Sequence, residues 1–421
     1  MWVMKVGGGC LRNADGLRQL PVVLRTAYPD AVRLLVVSAI GKTTDALMRL
    51  IEAAGRSDYE QAKALYISLQ KFHEMLIREV FPESSAENLI HRLEQRYWSP
   101  LWQRVQALAH LSEEGGPATD AVLVFGELIS SEIVHAYLES QGFVTAWIDA
   151  RRLIVTDGHY PEPGVLLGPS QANVDAQLVP LFRTQKLIIT QGYIASDLRR
   201  RSTTLGREGS DYSAALFANM LNAQGMIAWK DVGRLYSADP NRHPDAQPLT
   251  TLSYSQAAEM TYYGAQVLHP RTLRPLRDKR IPLYVCPYFD PASEGTLITD
   301  EWVEDLPPIH TQQRGLILIE VESIDLSPLS LMDILREMEE EGMQIFFTQG
   351  GIRTAAFAVK APQEVIERWR AAAPVSLAIQ VRQPVTLYTI LYPNETLRLP
   401  NGEALYFQRL PQRIHWLAYE G

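Results

Sequence analysis

Cysteine is scarce: Cys10 and Cys286 are the only two in 421 residues. No disulfide framework can be built from them, and a reducing cytoplasm is the expected location. No C-x-x-C pair and no H-E-x-x-H occurs, so no dedicated protein metal site is expected. A basic surplus is missing too. Forty lysines and arginines against 48 acidic residues leave a net charge of -8, the wrong balance for a nucleic acid partner. No uncharged run approaches the roughly 18 residues of a membrane span, so no membrane partner is expected either. Lys5 is followed by Gly7-Gly8-Gly9 rather than an apolar core, so the start is not expected to be a secretory leader.

What is present suits two or three globular domains, since 46% of the residues are hydrophobic. Up to about residue 300, strand-like runs alternate with helical ones, which predicts an α/β fold with a mostly parallel sheet. Residues 1–6 read as a first strand ending in a lysine and a glycine turn, whose amides suit a phosphate. Residues 34–37 are four apolar residues of a central strand, and Ser38, Thr43 and Thr44 follow at its carboxyl end. Gly41-Lys42-Thr43 is not a P-loop, because Val36 stands where the first glycine is required. Residues 58–111 read as two long helices broken near Pro82. In the helical stretch 119–140, Glu127 sits among apolar neighbours and must be either a buried structural pair or a ligand-binding acid.

The organising stretch is 202–215, read as a polar loop between a strand at 187–190 and a helix at 212–222. Gly206 and Gly209 allow close backbone approach, Ser210 or Asp211 can cap the helix, and Arg207 offers a planar cation for a carboxylate or phosphate. A strand at 226–232 ends in Lys230-Asp231, and Tyr236 and Asp239 follow. They suit a nucleotide base and ribose, or equally a turn with Asx chemistry. Residues 264–270 read as a turn and 282–285 as the last strand of this half. Beyond Pro307-Pro308 the order of elements becomes βαββαβ, a ferredoxin-like unit, with further strands around Leu387, Tyr406 and Trp416.

Taken together, Lys5-Val6-Gly7-Gly8, Val37-Ser38-Ala39 with Thr44, Gly126-Glu127, Gln191-Gly192-Tyr193, Thr203-Thr204-Leu205-Gly206-Arg207, Gly209-Ser210-Asp211 and Val267-Leu268-His269-Pro270 resemble the aspartokinases. The long helical insertion and abbreviated second regulatory module look most like the monofunctional Bacteroidetes type. The resemblance implies an amino acid kinase αβα sandwich over residues 1–303, with the insertion at about 58–113. An ACT regulatory region over 311–421 would follow, one complete module at about 314–382 plus a shortened second one. It implies transfer of the γ-phosphoryl of ATP, carried with Mg²⁺, to the β-carboxylate of L-aspartate. It also implies a homodimer through the ACT modules, with lysine or threonine as a possible effector near residues 327–331 and 344–349.

Carried over by position, Lys5 and Asp211 would be catalytic. Ser38, Thr44, Glu127, Tyr193 and Arg207 would bind aspartate, and Gly7, Gly8, Lys230, Asp231, Tyr236 and Asp239 would bind ATP. The chain departs from the family at Gly9, Cys10, Lys230, Asn241 and Gln266, which removes hydroxyls and cations near the phosphates. Lys230 or Arg271 is expected to restore the charge. Two alternatives stay open at this point: a catalytically weakened amino acid sensor, and a kinase of the same fold acting on another acidic metabolite.

Overall fold

The computed structural model describes the chain apart from residues 27–31, 109–115, 162, 232, 266–267, 326–327, 394–403 and 420–421. Val232, Gln266, Val267 and Ser327 therefore lie outside the described residues. The chain divides into two compact units: Met1–Leu235 with Thr250–Tyr254 and Leu268–Trp302, and Tyr236–Leu249 with Ser255–Val267 and Val303–Gly421.

The first unit opens with β1 (Trp2–Val6), α1 (Ala14–Thr26), β2 (Val32–Val37) and α2 (Thr43–Gly55). A helical insertion, α3 (Tyr59–Val80), α4 (Glu83–Leu93) and α5 (Ser99–Leu108), precedes α6 (Pro117–Leu123) and α7 (Phe125–Ser140). Then come β3 (Thr145–Trp147), β4 (Val155–Thr156), α8 (Leu167–Asn173), β5 (Leu187–Gln191), β6 (Ile194–Asp197) and β7 (Ser202–Thr204). They lead to α9 (Gly209–Met220), β8 (Gly225–Lys230) and β9 (Thr251–Ser253). All of α10 (Tyr254–Tyr262) but its first residue belongs to the second unit, and α11 (Pro270–Asp278), β10 (Leu283–Pro287) and β11 (Thr296–Thr299) return to the first.

Eight strands form one sheet in the order β3-β5-β2-β1-β8-β10-β11-β9, and every pairing is parallel except β10 with β11. Leu34, Leu35, Val36 and Val37 of β2 are fully buried, as a parallel strand covered on both faces requires. Lys5 lies opposite Val36 of β2 and Ala228 of β8. That register sets Lys5, Ser38, Gln191 and Lys230 along one carboxyl edge, where open α/β sheets hold ligands. The stretch Pro117–Ser140 is apolar enough in composition to cross a membrane, yet 83% of its most apolar window is buried inside the protein. It is a core helix pair, and it carries Glu127 inward.

Several local expectations change. The polar loop expected before α9 contains a hairpin, β6 and β7, tightened where the Asp197 carboxylate accepts the N–H groups of Arg199 and Arg201 at 2.9 and 2.8 Å. α9 starts at Gly209, and neither Ser210 nor Asp211 caps it; Glu208 holds the cap position with φ 51° and no side-chain bond. The turn expected to end at Pro270 leads directly into α11, which had no expectation of its own: Pro270 takes a first-turn position that needs no N–H, while His269 Nδ1 accepts the Arg271 N–H at 3.2 Å.

The second unit contains β12 (Ile309–Ser323), α12 (Leu331–Glu340), β13 (Gln344–Gly350), β14 (Thr354–Lys360), α13 (Gln363–Ala372), β15 (Leu377–Leu391), β16 (Tyr406–Leu410) and β17 (Arg413–Tyr419). The expected βαββαβ order is present in its first six elements. The sheet runs β13-β14-β12-β15-β17-β16 and is antiparallel throughout. Ile319, Val321, Phe357 and Val359 of the sheet pack on Ile334 and Met338 of α12 and Ile366 and Trp369 of α13. No separate strand exists around Leu387, which continues β15 opposite Gln313 of β12. α10 lies on this unit: the Tyr262 hydroxyl donates to the Ile345 carbonyl at 2.6 Å, and Arg413 donates to Glu259 at 3.0 Å.

Candidate active site

After β1 the chain turns through Gly7, Gly8 and Gly9. Gly8 carbonyl oxygen accepts the N–H of Leu11 at 3.2 Å and of Gly41 at 3.0 Å, tying this turn to the loop after β2. A Cβ on Gly8 would lie 2.3 Å from the Ala39 carbonyl oxygen, so only glycine fits there. Gly9 has a different neighbour: a Cβ would meet Asp231 Oδ2 at 2.4 Å, and that is the tip of a side chain. Cys10 donates its Sγ–H to the Trp229 carbonyl at 3.5 Å, and burial pushes its thiol up to about 12. It is a packed, protonated side chain beside the turn.

Asp211, in the first turn of α9, is 2% exposed and meets two lysines. Lys5 Nζ lies 2.8 Å from its Oδ1, and Lys230 Nζ lies 2.6 Å from its Oδ2. Burial works to raise the Asp211 pKa, but the two ammonium groups outweigh it and hold the carboxyl near about 2. The opposing effects resolve differently on each lysine. Burial lowers Lys5 despite Asp211, whereas the same carboxylate overcomes burial at Lys230 and raises it. Asp211 therefore keeps two cations at one point of the sheet edge. Of the two cations considered as replacements, Lys230 joins this group, while the Arg271 guanidinium lies over the Tyr212 ring at 5.4 Å.

Ser38 and Glu127 are joined from the other side. Ser130 of α7 donates its hydroxyl to the Ser38 carbonyl at 2.6 Å, and a Cβ on Gly126 would touch Ala39 Cβ at 3.3 Å. Glu127 is 2% exposed, and its Oε2 has no hydrogen-bond partner among the described residues. Burial pushes it up to about 8, against the pull of the Glu127 and Ala39 backbone amides. A buried carboxyl without a cation is a poor structural choice and a good receiver for an incoming ammonium group. Thr44 is half-buried in the first turn of α2. Tyr193 takes φ 66°, its N–H donates to Ser213 Oγ at 2.9 Å, and burial holds its hydroxyl well above the ordinary value. Arg207 is exposed and has no ion-pair partner among the described residues.

Lys5, Gly7, Gly8, Asp211 and Lys230 are thus brought together, and Asp231 reaches Gly9 and lies 3.9 Å from Arg12. Tyr236 and Asp239 belong to the second unit. There Asp239 Oδ1 accepts the Asn241 N–H at 3.0 Å, an Asx turn. Two buried groups were given no role in the sequence reading. Gln191 donates to Ser131 Oγ at 2.7 Å while its Oε1 accepts the Ala150 N–H at 2.8 Å. Asp120 accepts from Thr204. The signal for Asp120 was an acid with apolar neighbours in the helical stretch 119–140, the same signal that singled out Glu127.

Residues 1–287 match the amino acid kinase family. The chloroplastic bifunctional aspartokinase/homoserine dehydrogenase 2 of Arabidopsis thaliana is 31% identical over 358 residues, 82% of this chain and 38% of that protein. The chain spans about a third of the length of such bifunctional relatives. Lysine-sensitive aspartokinase 3 of Escherichia coli is 32% identical over 330 residues, 77% of this chain and 70% of its own length. A crystal structure of Escherichia coli aspartokinase III in complex with aspartate and ADP matches with TM-score 0.83, covering 100% of this chain and 96% of that one at 22% identity. The same enzyme with lysine and aspartate matches at 0.78, with the same coverage and 22% identity. Both speak for the fold. The chain belongs to the amino acid kinase family. Within that family, its identity to the Escherichia coli enzyme places it among the aspartokinases.

Proposed function

We propose that this protein phosphorylates the β-carboxylate of L-aspartate with ATP, giving 4-phospho-L-aspartate and ADP. The observation that carries the reading is the buried Lys5–Asp211–Lys230 group at the carboxyl edge of the sheet, beside the Gly7-Gly8 turn. A carboxylate oxygen of aspartate attacks the γ-phosphorus, and the bond from that phosphorus to the bridging oxygen of ADP breaks. The nucleophile is already ionised, so no general base is required, and the protein's task is positioning and charge neutralisation. Lys5 and Lys230 supply two positive charges to the transferring group, and Asp211 fixes both ammonium groups in place.

Glu127 receives the substrate ammonium, Arg207 forks onto a substrate carboxylate, and Ser38, Thr44 and Tyr193 complete the pocket. Gly7, Gly8 and Asp231 face the phosphates. The described residues gather no cluster of three or more His, Cys, Asp or Glu side chains. Mg²⁺ would arrive on ATP and add charge neutralisation there, with Asp231 the partly exposed carboxylate beside the turn. The catalytic domain is assigned to 1–303 and the regulatory ACT region to 311–421, through which a homodimer would form. The Escherichia coli relative is named lysine-sensitive and one match holds lysine, which supports an amino acid effector.

Release of ADP from ATP that depends on L-aspartate, and fails with L-glutamate or N-acetyl-L-aspartate, tests the substrate assignment. Equal turnover with all three would sink it.

A further inference from the structure

Asp120 stands in α6, the helix that precedes Glu127, and it is 5% exposed. Its Oδ2 accepts the Thr204 N–H at 2.6 Å and its Oδ1 accepts the Thr204 hydroxyl at 3.0 Å, both buried. No cation pairs with it among the described residues. A lone carboxylate held in the interior by two donors from one residue is costly to keep for packing alone.

What it holds is the root of the Arg207 loop. Thr204 ends β7, and the chain then runs Leu205-Gly206-Arg207-Glu208 into α9. The Leu205 N–H donates to the Tyr193 carbonyl at 2.8 Å and the Gly209 N–H to the Gly206 carbonyl at 3.0 Å. Between those two points Gly206 has φ 72° and Glu208 has φ 51°. Left-handed residues on both sides of Arg207 give a loop whose direction depends on where Thr204 is pinned.

We propose that Asp120 is a positioning residue for aspartate: it fixes Thr204 and thereby sets where Arg207 stands relative to Glu127. This rests on the aspartate kinase reading for its kinetic consequence, though not for its structural one. The two substrate-binding groups are thus tied through one buried side chain, α6 and α7 on one side and the β7 loop on the other. Thr204 transmits the position; Asp120 itself touches no substrate.

The test uses the full chain with Asp120→Ala, Asp120→Asn and Thr204→Val. Two readouts are taken: steady-state KM for aspartate and for ATP, and the rate of tryptic cleavage after Arg207 relative to other sites. Asp120→Ala should raise KM for aspartate at least about ten-fold while KM for ATP stays within about two-fold, and should speed cleavage after Arg207 by a similar factor. Asp120→Asn keeps an acceptor for the Thr204 N–H and should restore both readouts to within about three-fold of wild type. Thr204→Val loses only the hydroxyl bond and should fall between them, which keeps the proposal testable if Asp120→Ala fails to fold. Unchanged cleavage after Arg207 in both Asp120→Ala and Thr204→Val overturns it, as does a KM rise shared equally by ATP and aspartate. If the wild type shows no aspartate-dependent turnover but the cleavage pattern holds, the kinase reading has failed and the positioning role stands.

Discussion

Lys230 and Lys5 share one buried carboxylate, Lys230 at 2.6 Å from one oxygen of Asp211 and Lys5 at 2.8 Å from the other. The partners come from three elements, β8, β1 and α9, so the arrangement exists only in the folded chain. On the proposed reading it offers two cations where phosphoryl charge must be neutralised.

If both lysines serve the transferring group, Lys230→Met should lower kcat by about 100-fold, as loss of one preorganised charge does, and Lys5→Ala by at least as much. Arg271→Ala, removing a cation that lies over Tyr212, should change kcat/KM for ATP by less than about three-fold. Steady-state kinetics on the three variants decides it. A Lys230→Met enzyme of near wild-type kcat would assign the missing charge elsewhere.

Glu127 gives a pH dependence of known sign. Burial pushes it up to about 8, so at neutral pH and without substrate the side chain is mostly protonated. An ammonium group binds the ionised form, so KM for aspartate should fall as pH rises from about 6.5 to about 8.5 and level off above the pKa. Glu127→Gln should flatten that profile. Stability without ligand runs the other way: between the ordinary 4.5 and about 8 the folded chain binds a proton that the unfolded chain has lost. That contribution is full below the ordinary value and is lost as pH rises through the folded one. Thermal melts of the wild type should show the decline, and those of Glu127→Gln should lack it.

The glycine turn separates two neighbouring substitutions. Gly8→Ala drives a methyl into the Ala39 carbonyl, backbone that cannot step aside, and should destabilise by about 1–3 kcal/mol in denaturant titrations. Gly9→Ala meets only the Asp231 carboxylate, which can rotate, and should cost less than about 1 kcal/mol. Its effect should appear instead in KM for ATP. Equal losses of stability would show that the turn is not locked against the loop after β2.

Both thiols should be silent in the folded protein. Burial raises Cys10 to about 12 and Cys286 to about 11, so little thiolate forms at pH 8. A thiol reagent should titrate both cysteines only after denaturation. Rapid reaction of Cys10 in the native protein would contradict its packing against Trp229.

Much of this was legible in the sequence where chemistry is local. Four apolar residues at 34–37 announced a buried parallel strand, and the lysine before Gly7-Gly8 announced the turn. The alternation of apolar positions through 315–381 was enough for the βαββαβ order. What was hidden depends on partners distant in the chain. From its neighbours alone Asp211 read as a possible helix cap, and only the family resemblance made it catalytic with Lys5; its partners lie on β1 and β8. The hairpin of β6 and β7 has strands of four and three residues, too short for alternation to register. In α11, Pro270 and Pro275 masked an amphipathic helix. Leu387 looked like a separate strand because the junction Arg382-Gln383-Pro384 broke the apolar pattern, while the backbone pairs β12 with β15 straight through it, taking up a register shift.

The central claim is tested most directly by trapping its product. The purified chain, Mg-ATP and L-aspartate are incubated with hydroxylamine, which converts an acyl phosphate to a hydroxamate, and aspartyl hydroxamate is measured for wild type, Lys5→Ala and Arg207→Ala. Hydroxamate from the wild type, lost in both variants, is the predicted result. No hydroxamate from a wild-type protein that binds ATP and aspartate by calorimetry would contradict it and leave a sensor rather than a kinase.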